Sequence, residues 1–85
     1  MNNGIDKLKK KLIYRSQYRG TKEMDKLIGG FVQVIIDKLN KVQLEKLENF
    51  LSIDDEILYK FYNNQLVNTD YSENEIFKLF KEFKY

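Results

Sequence analysis

The sequence predicts an all-α fold, a compact five-helix bundle, on three observations. Its 85 residues contain no proline, the residue that most strongly breaks a helix interior. Apolar residues recur at the three-and-four spacing that lines one helix face. Polar residues of the kind that open helices stand just before several of those apolar runs. The length fits one domain, residues 1–85.

Ile5, Leu8 and Leu12 mark a first helix near residues 4–17. Met24, Leu27, Ile28, Phe31, Ile35 and Leu39 mark a second near 21–39, the longest and most apolar and therefore the central one. Gly29 and Gly30 lie inside it, at roughly 1 kcal/mol each against alanine. A close helix crossing would explain them, and so would a bend. Asn40 with Gln43 reads as the capping box of a third helix, about 41–51, turning Leu44, Leu47, Phe50 and Leu51 inward. Asp54 reads as the N-cap of a fourth, with Asp55 and Glu56 in its first turn, where the helix dipole favours negative charge. Ile57, Leu58, Phe61 and Tyr62 would line its buried side. The polar stretch Asn63 to Asp70 reads as a loop. Ser72 and Glu75 form an S-x-x-E box opening a fifth helix. Ile76, Leu79, Phe80 and Phe83 would face inward; the aromatic set Phe77, Phe80, Phe83 and Tyr85 reads mostly as core, with Phe77 or Tyr85 the candidate for an exposed ring.

Composition narrows function. There is no histidine and no cysteine, so the commonest general base, the thiol nucleophile and the usual zinc ligands are missing. Any catalysis would fall to carboxylates, lysine or tyrosine, which argues against an enzyme. Twelve residues are Phe or Tyr, a composition that folds. No apolar run reaches the ~18–20 residues of a membrane span, and no secretory signal is read. Residues 5–15 are basic and amphipathic, but lysine supplies the charge and Asp6 intervenes, which counts against a mitochondrial targeting segment. Residues 1–22 hold seven Lys or Arg and one Asp, about +6, while residues 23–85 hold eight Lys or Arg and twelve Asp or Glu, about −4. That asymmetry favours an acidic partner surface or complementarity between the two parts.

The polar cluster at the junction of the first two helices stands out: Tyr14, Arg15, Ser16, Arg19, Gly20, Glu23 and Asp25. One reading is capping. Gly20 would stop the first helix at a positive φ, Glu23 and Asp25 would favour the dipole of the second, and the arginines would pair with them at the surface. The other reading is docking. Arginines four apart share a face on a continuing helix, can clamp carboxylates bidentately, and stand beside a glycine where another backbone can come close. Residue chemistry leaves both open.

The segment resembles the succinate dehydrogenase assembly factor 2 family, whose mitochondrial and alphaproteobacterial members carry a pattern close to L-x-Y-R-S-x-x-R-G-x-x-E-x-D-x-x-L-G-x-F. Leu12, Tyr14, Arg15, Ser16, Arg19, Gly20, Glu23, Asp25, Gly29 and Phe31 stand at the matching positions. Downstream, Asp55, Glu56, Leu58 and Tyr59 match an acidic stretch followed by L-Y-x-W, with Phe61 where tryptophan is usual, Ile57 where an acid is common and Asp54 where proline is common. The resemblance implies a small helical factor that binds the flavoprotein subunit of succinate dehydrogenase, or of the related fumarate reductase. It would promote covalent attachment of FAD to a histidine of that subunit without supplying catalytic groups. FAD would belong to the client. Arg19, Gly20 and Glu23 would form the centre of the contact, with Tyr14, Arg15, Ser16 and Asp25 supporting it. The factor would be a monomer when free, cytoplasmic in a bacterium or in the mitochondrial matrix of a eukaryote, with neither nucleic acid nor membrane insertion involved.

Four other readings compete. Some members of the family carry an antitoxin-like label, so a regulatory protein-binding module is the alternative. The basic stripe with Tyr14 and Tyr18 could serve nucleic acid, but the rest of the chain is acidic. The face of Ile5, Leu8 and Leu12 could lie on anionic lipid, yet burial in the bundle uses it more simply. Asp54, Asp55 and Glu56 could act as acids, yet consecutive carboxylates at a helix start are usually caps.

Overall fold

The apolar spacing becomes five α-helices in the computed structural model, which describes residues 3–65 and 74–84. They are α1 (Asn3–Gln17), α2 (Lys22–Ile35), α3 (Lys41–Leu51), α4 (Asp55–Tyr62) and α5 (Glu75–Glu82), with a 3-10 turn at Ile36–Lys38. No strand occurs among the described residues, as the all-α expectation required. α1 packs on α2 and α3, and α5 packs on α3 and α4. The Cα radius of gyration is 12.5 Å, near the ~12 Å of a compact chain of this length. No helix among the described residues is long and apolar enough to cross a membrane.

Leu12, Ile28, Val32, Leu44, Leu47, Leu58 and Ile76 are fully buried. Among them sits an aromatic cluster centred on Phe31, whose ring lies 5.6 Å from Phe50, 5.1 Å from Phe80 and 5.6 Å from Phe83, centroid to centroid. All three pairs are tilted, which aromatic quadrupoles prefer to a face-to-face sandwich. Tyr62 joins through its ring, 5.0 Å from Phe80, and its hydroxyl, which donates to the Phe83 carbonyl at 2.7 Å.

Several element boundaries differ from expectation. The second helix ends at Ile35, not 39, so at 14 residues it is shorter than the 15-residue α1, although seven buried residues keep it central. The tighter 3-10 turn, common where helices end, lets Ile36 and Leu39 both reach the core, and Leu39 then turns extended (φ −94°, ψ 139°) to hand the chain to Asn40. The Asn40–Gln43 capping box forms with both bonds, at 2.8 and 2.9 Å. Asp54 occupies the N-cap of α4, but its side chain makes no capping bond. Of that helix only Leu58 is fully buried, with Ile57, Phe61 and Tyr62 half-buried.

The S-x-x-E box of the fifth helix rests on Ser72, outside the described residues, as is most of the expected 63–70 loop. The described helix opens at Glu75 under Asn74, whose side-chain oxygen accepts from Ile76 N–H at 2.9 Å while its amide donates to the Lys46 carbonyl at 3.2 Å. Glu75 is thus the first helical residue rather than the third. Phe77 is core, between the rings of Phe50 and Phe61, and Leu79 turns outward instead. Tyr85 lies outside the described residues. Gly29 serves a close helix crossing: a Cβ there would stand 3.4 Å from Gln17 Cγ and 3.5 Å from the Ser16 carbonyl oxygen.

Candidate partner-docking site at the α1–α2 junction

α1 stops at Gln17, and Tyr18, Arg19 and Gly20 cross to Thr21, whose hydroxyl caps α2 by accepting from Met24 N–H at 3.1 Å. Gly20 has φ +140°, a region that side-chain-bearing residues rarely enter. Asp25 reaches back from the first turn of α2 and accepts from the Arg19 backbone N–H at 2.5 Å. Asp25 does stand in the first turn of α2, as the capping reading expected, and its bond to the Arg19 backbone also fastens the junction from the α2 side.

The Arg19 side chain does not pair with Glu23 or Asp25 at the surface. It turns inward to the α3–α4 connection. Nε donates to Asp55 at 2.7 Å, and the two terminal nitrogens donate to the carbonyls of Leu51 at 2.6 Å and Ile53 at 2.8 Å. Only 9% of the side chain is exposed. A guanidinium suits this place because its planar fork serves three acceptors at once, one of them a carbonyl at the α3 C-terminus, where the helix dipole favours a cation. Arg15 goes elsewhere: it lies 3.7 Å from Glu48 of α3, which also accepts a 2.9 Å bond from Lys11. Because α1 ends between them, the two arginines do not share a helix face.

Ser16 is fully buried, its hydroxyl donating to the Ile13 carbonyl at 2.6 Å where α1 crosses Gly29. Glu23 is exposed and makes no hydrogen bond or ion pair among the described residues. Tyr14 is 64% exposed and Tyr18 68%, their ring centroids 4.5 Å apart. Tyr14, Arg15, Tyr18 and Arg19 form one wall of an open groove of about 500 Å³, with Leu51–Asp55 as the other wall. A smaller hollow of about 320 Å³ holds Thr21, Glu23, Met24, Asp55, Glu56 and Tyr59. Asp55 lines both, and a Cβ on Gly20 would lie 3.6 Å from its Oδ2. The glycine therefore stands beside the carboxylate that the two hollows share.

Residues 10–84 match the model of the family described as the flavinator of succinate dehydrogenase. The chain belongs to that family. Its relatives include the mitochondrial succinate dehydrogenase assembly factor 2 of Saccharomyces cerevisiae, 30% identical over 96% of this chain and 53% of the relative. The protein of the same name in Dictyostelium discoideum is 35% identical over 88% of this chain and 53% of the relative. The FAD assembly factor SdhE of Acetobacter pasteurianus is 40% identical over 55% of this chain and 43% of the relative. The chain thus spans about half the length of the curated relatives it matches. No solved structure matches.

For this flavinator-family chain, the cluster read from sequence sorts into two groups. Tyr14, Arg15, Gly20 and Glu23 reach the surface, whereas Ser16, Arg19 and Asp25 build it from within. Sequence reasoning left Tyr18 out of the docking cluster and named it only for base stacking, although its place four residues after Tyr14 was an available signal. It read Asp55 as a helix-start acid within a family-like acidic stretch, and nothing local reveals that a guanidinium 36 residues away in sequence is its partner. At the position of the usual family tryptophan, Phe61 packs edge-on against Phe77 at 5.2 Å, with the Lys81 ammonium 4.8 Å from its ring centre. That position serves the α4–α5 packing.

Proposed function

We propose that this chain acts as one helical domain that binds the flavoprotein subunit of succinate dehydrogenase, or of a fumarate reductase, and promotes covalent attachment of FAD to it. The observation that carries the reading is family membership over residues 10–84 together with an open groove lined by Tyr14, Arg15, Tyr18 and Arg19 beside a hollow lined by Glu23. The mechanism is differential binding: the factor stabilises the subunit arrangement in which FAD bonds to the subunit's own histidine. The chain has no histidine or cysteine, in keeping with a factor that lends a surface and leaves the chemistry and the FAD to its client. It would work as a monomer in the bacterial cytoplasm or, in a eukaryote, in the mitochondrial matrix.

The test is to co-express the flavoprotein subunit with and without this chain and read covalent flavin by in-gel fluorescence after denaturation. A several-fold stronger flavin band with the factor present is expected. Equal bands would remove the proposal.

A further inference from the structure

Within the junction, the residue at the centre of the motif and the residues that face outward differ. Three donors of the Arg19 guanidinium are engaged inside the protein, and 9% of the side chain is exposed. Little of it remains to touch anything else. Tyr14 and Tyr18 are its opposite. Both are mostly exposed, and neither hydroxyl has a hydrogen-bond partner among the described residues. Their stacking at 4.5 Å orders each ring against the other before any partner arrives, which lowers the entropy cost of binding. Exposed Tyr and Arg are the residue types that most often anchor interfaces. Beside them Arg15, 35% exposed, shares the single carboxylate of Glu48 with Lys11. Two cations on one anion leave positive charge at that rim, and the exposed Lys7 and Lys10 extend it along α1.

Resting on the flavoprotein-binding reading above, we propose that Tyr14 and Tyr18, with Arg15, form the contact surface for a carboxylate-bearing segment of the flavoprotein subunit, and that Arg19 is a positioning residue that pins the Leu51–Asp55 turn as the opposite wall of the groove. Tyr18 is the residue that this assigns anew. Arg19 influences the client through Asp55 and the two carbonyls, so its loss and the loss of Asp55 loosen the same wall of the groove.

The test measures affinity of the purified flavoprotein subunit for the wild-type chain and its variants by calorimetry at 10 °C. Each variant is first shown to be folded by its far-UV circular dichroism and thermal melt. Tyr18→Ala and Tyr14→Ala should each weaken binding about tenfold, the size of a hot-spot loss, with unchanged melting temperature. Arg15→Glu should weaken it at least as much. Arg19→Lys keeps the charge but not the three-way fork, and both it and Asp55→Asn should weaken binding. The double variant Arg19→Lys/Asp55→Asn should lose no more than the worse single one, the mark of a shared route. At saturating concentration the Arg19→Lys factor should restore the wild-type flavinylation rate, with only its half-saturating concentration raised. Normal binding by Tyr18→Ala overturns the proposal, and so do losses at Arg19 and Asp55 that multiply. So does an oligonucleotide, or phosphatidylglycerol vesicles, binding as tightly as the subunit in a Tyr18-dependent way. If the wild-type chain neither binds the subunit nor raises covalent flavin, the flavoprotein reading fails and the proposal with it. If the wild-type chain does both and Tyr18→Ala is normal, only the assignment of contacts fails.

Discussion

Arg19 and Gly20 are neighbours with opposite jobs. Arg19 carries a charge into a nearly closed setting, where it is stabilised by a carboxylate and two carbonyls. Removing one partner of such a pair leaves the others without compensation, which is why buried pairs are costly to break even when they add little net stability. Gly20 holds the backbone at φ +140° so that the chain can turn from α1 into α2 while Arg19 points inward. Contact alone would permit a methyl group there, since its nearest neighbour would be Asp55 Oδ2 at 3.6 Å. The backbone would not. Gly20→Ala should therefore destabilise by roughly 1–3 kcal/mol, a drop of about 5–20 °C in melting temperature for a domain of this size. A thermal melt decides it: an unchanged midpoint would show that the backbone there is not constrained. The positive φ was legible from a glycine at a helix junction. The inward turn of Arg19 was not, because Glu23 and Asp25 are closer in sequence and offered a simpler pairing.

The helices are joined by ties that differ in how visible they are beforehand. The cap of Asn40 with Gln43 is local, and the sequence pattern was enough to find it. The tie between α1 and α3 is not local. Lys11 and Arg15 both meet Glu48, 37 and 33 residues away. The Lys11 hydrogen bond and then the Lys11 charge hold the Glu48 carboxyl below the ordinary glutamate range; burial opposes them, and the Arg15 charge adds the smallest lowering effect. A carboxyl held low in the folded state stabilises the fold above the ordinary glutamate value of about 4.3 and loses that contribution as pH falls through the lowered value. Wild-type protein should therefore lose more stability than Glu48→Gln between about pH 5 and pH 3, and the difference should shrink in about 1 M salt, which screens exposed pairs. Denaturant midpoints across that range supply the measurement, and parallel curves for the two proteins would refute the tie. Helix α5 shows the same limit from another side. Its apolar pattern was plain, but choosing between Phe77 and Leu79 for the interior depended on where the helix starts, and Asn74 sets that start through its bond to Lys46 of α3.

The molecule as a whole depends on the aromatic cluster around Phe31, which brings α2, α3 and α5 together. Domains of this size are stable by only about 5–10 kcal/mol, and truncating a buried phenylalanine costs roughly 3–5 kcal/mol. Phe31→Ala should consume much of that margin, read as a collapse of the urea midpoint. A shift of less than about 1 kcal/mol would place the centre of the core elsewhere. Helix class, core faces and the junction motif could be read from the chain because periodicity, capping and turn chemistry act over a few residues. The assignment of Arg19 to the interior, of Ser16 to a helix crossing and of Tyr14 with Tyr18 to the surface could not. Those depend on which distant segment packs against the junction, and Arg19 meets its acceptors 32, 34 and 36 residues further along the chain. Those carbonyls and that carboxylate converge only where the α3–α4 connection packs against the junction, and there a single charged side chain has somewhere better to go than water.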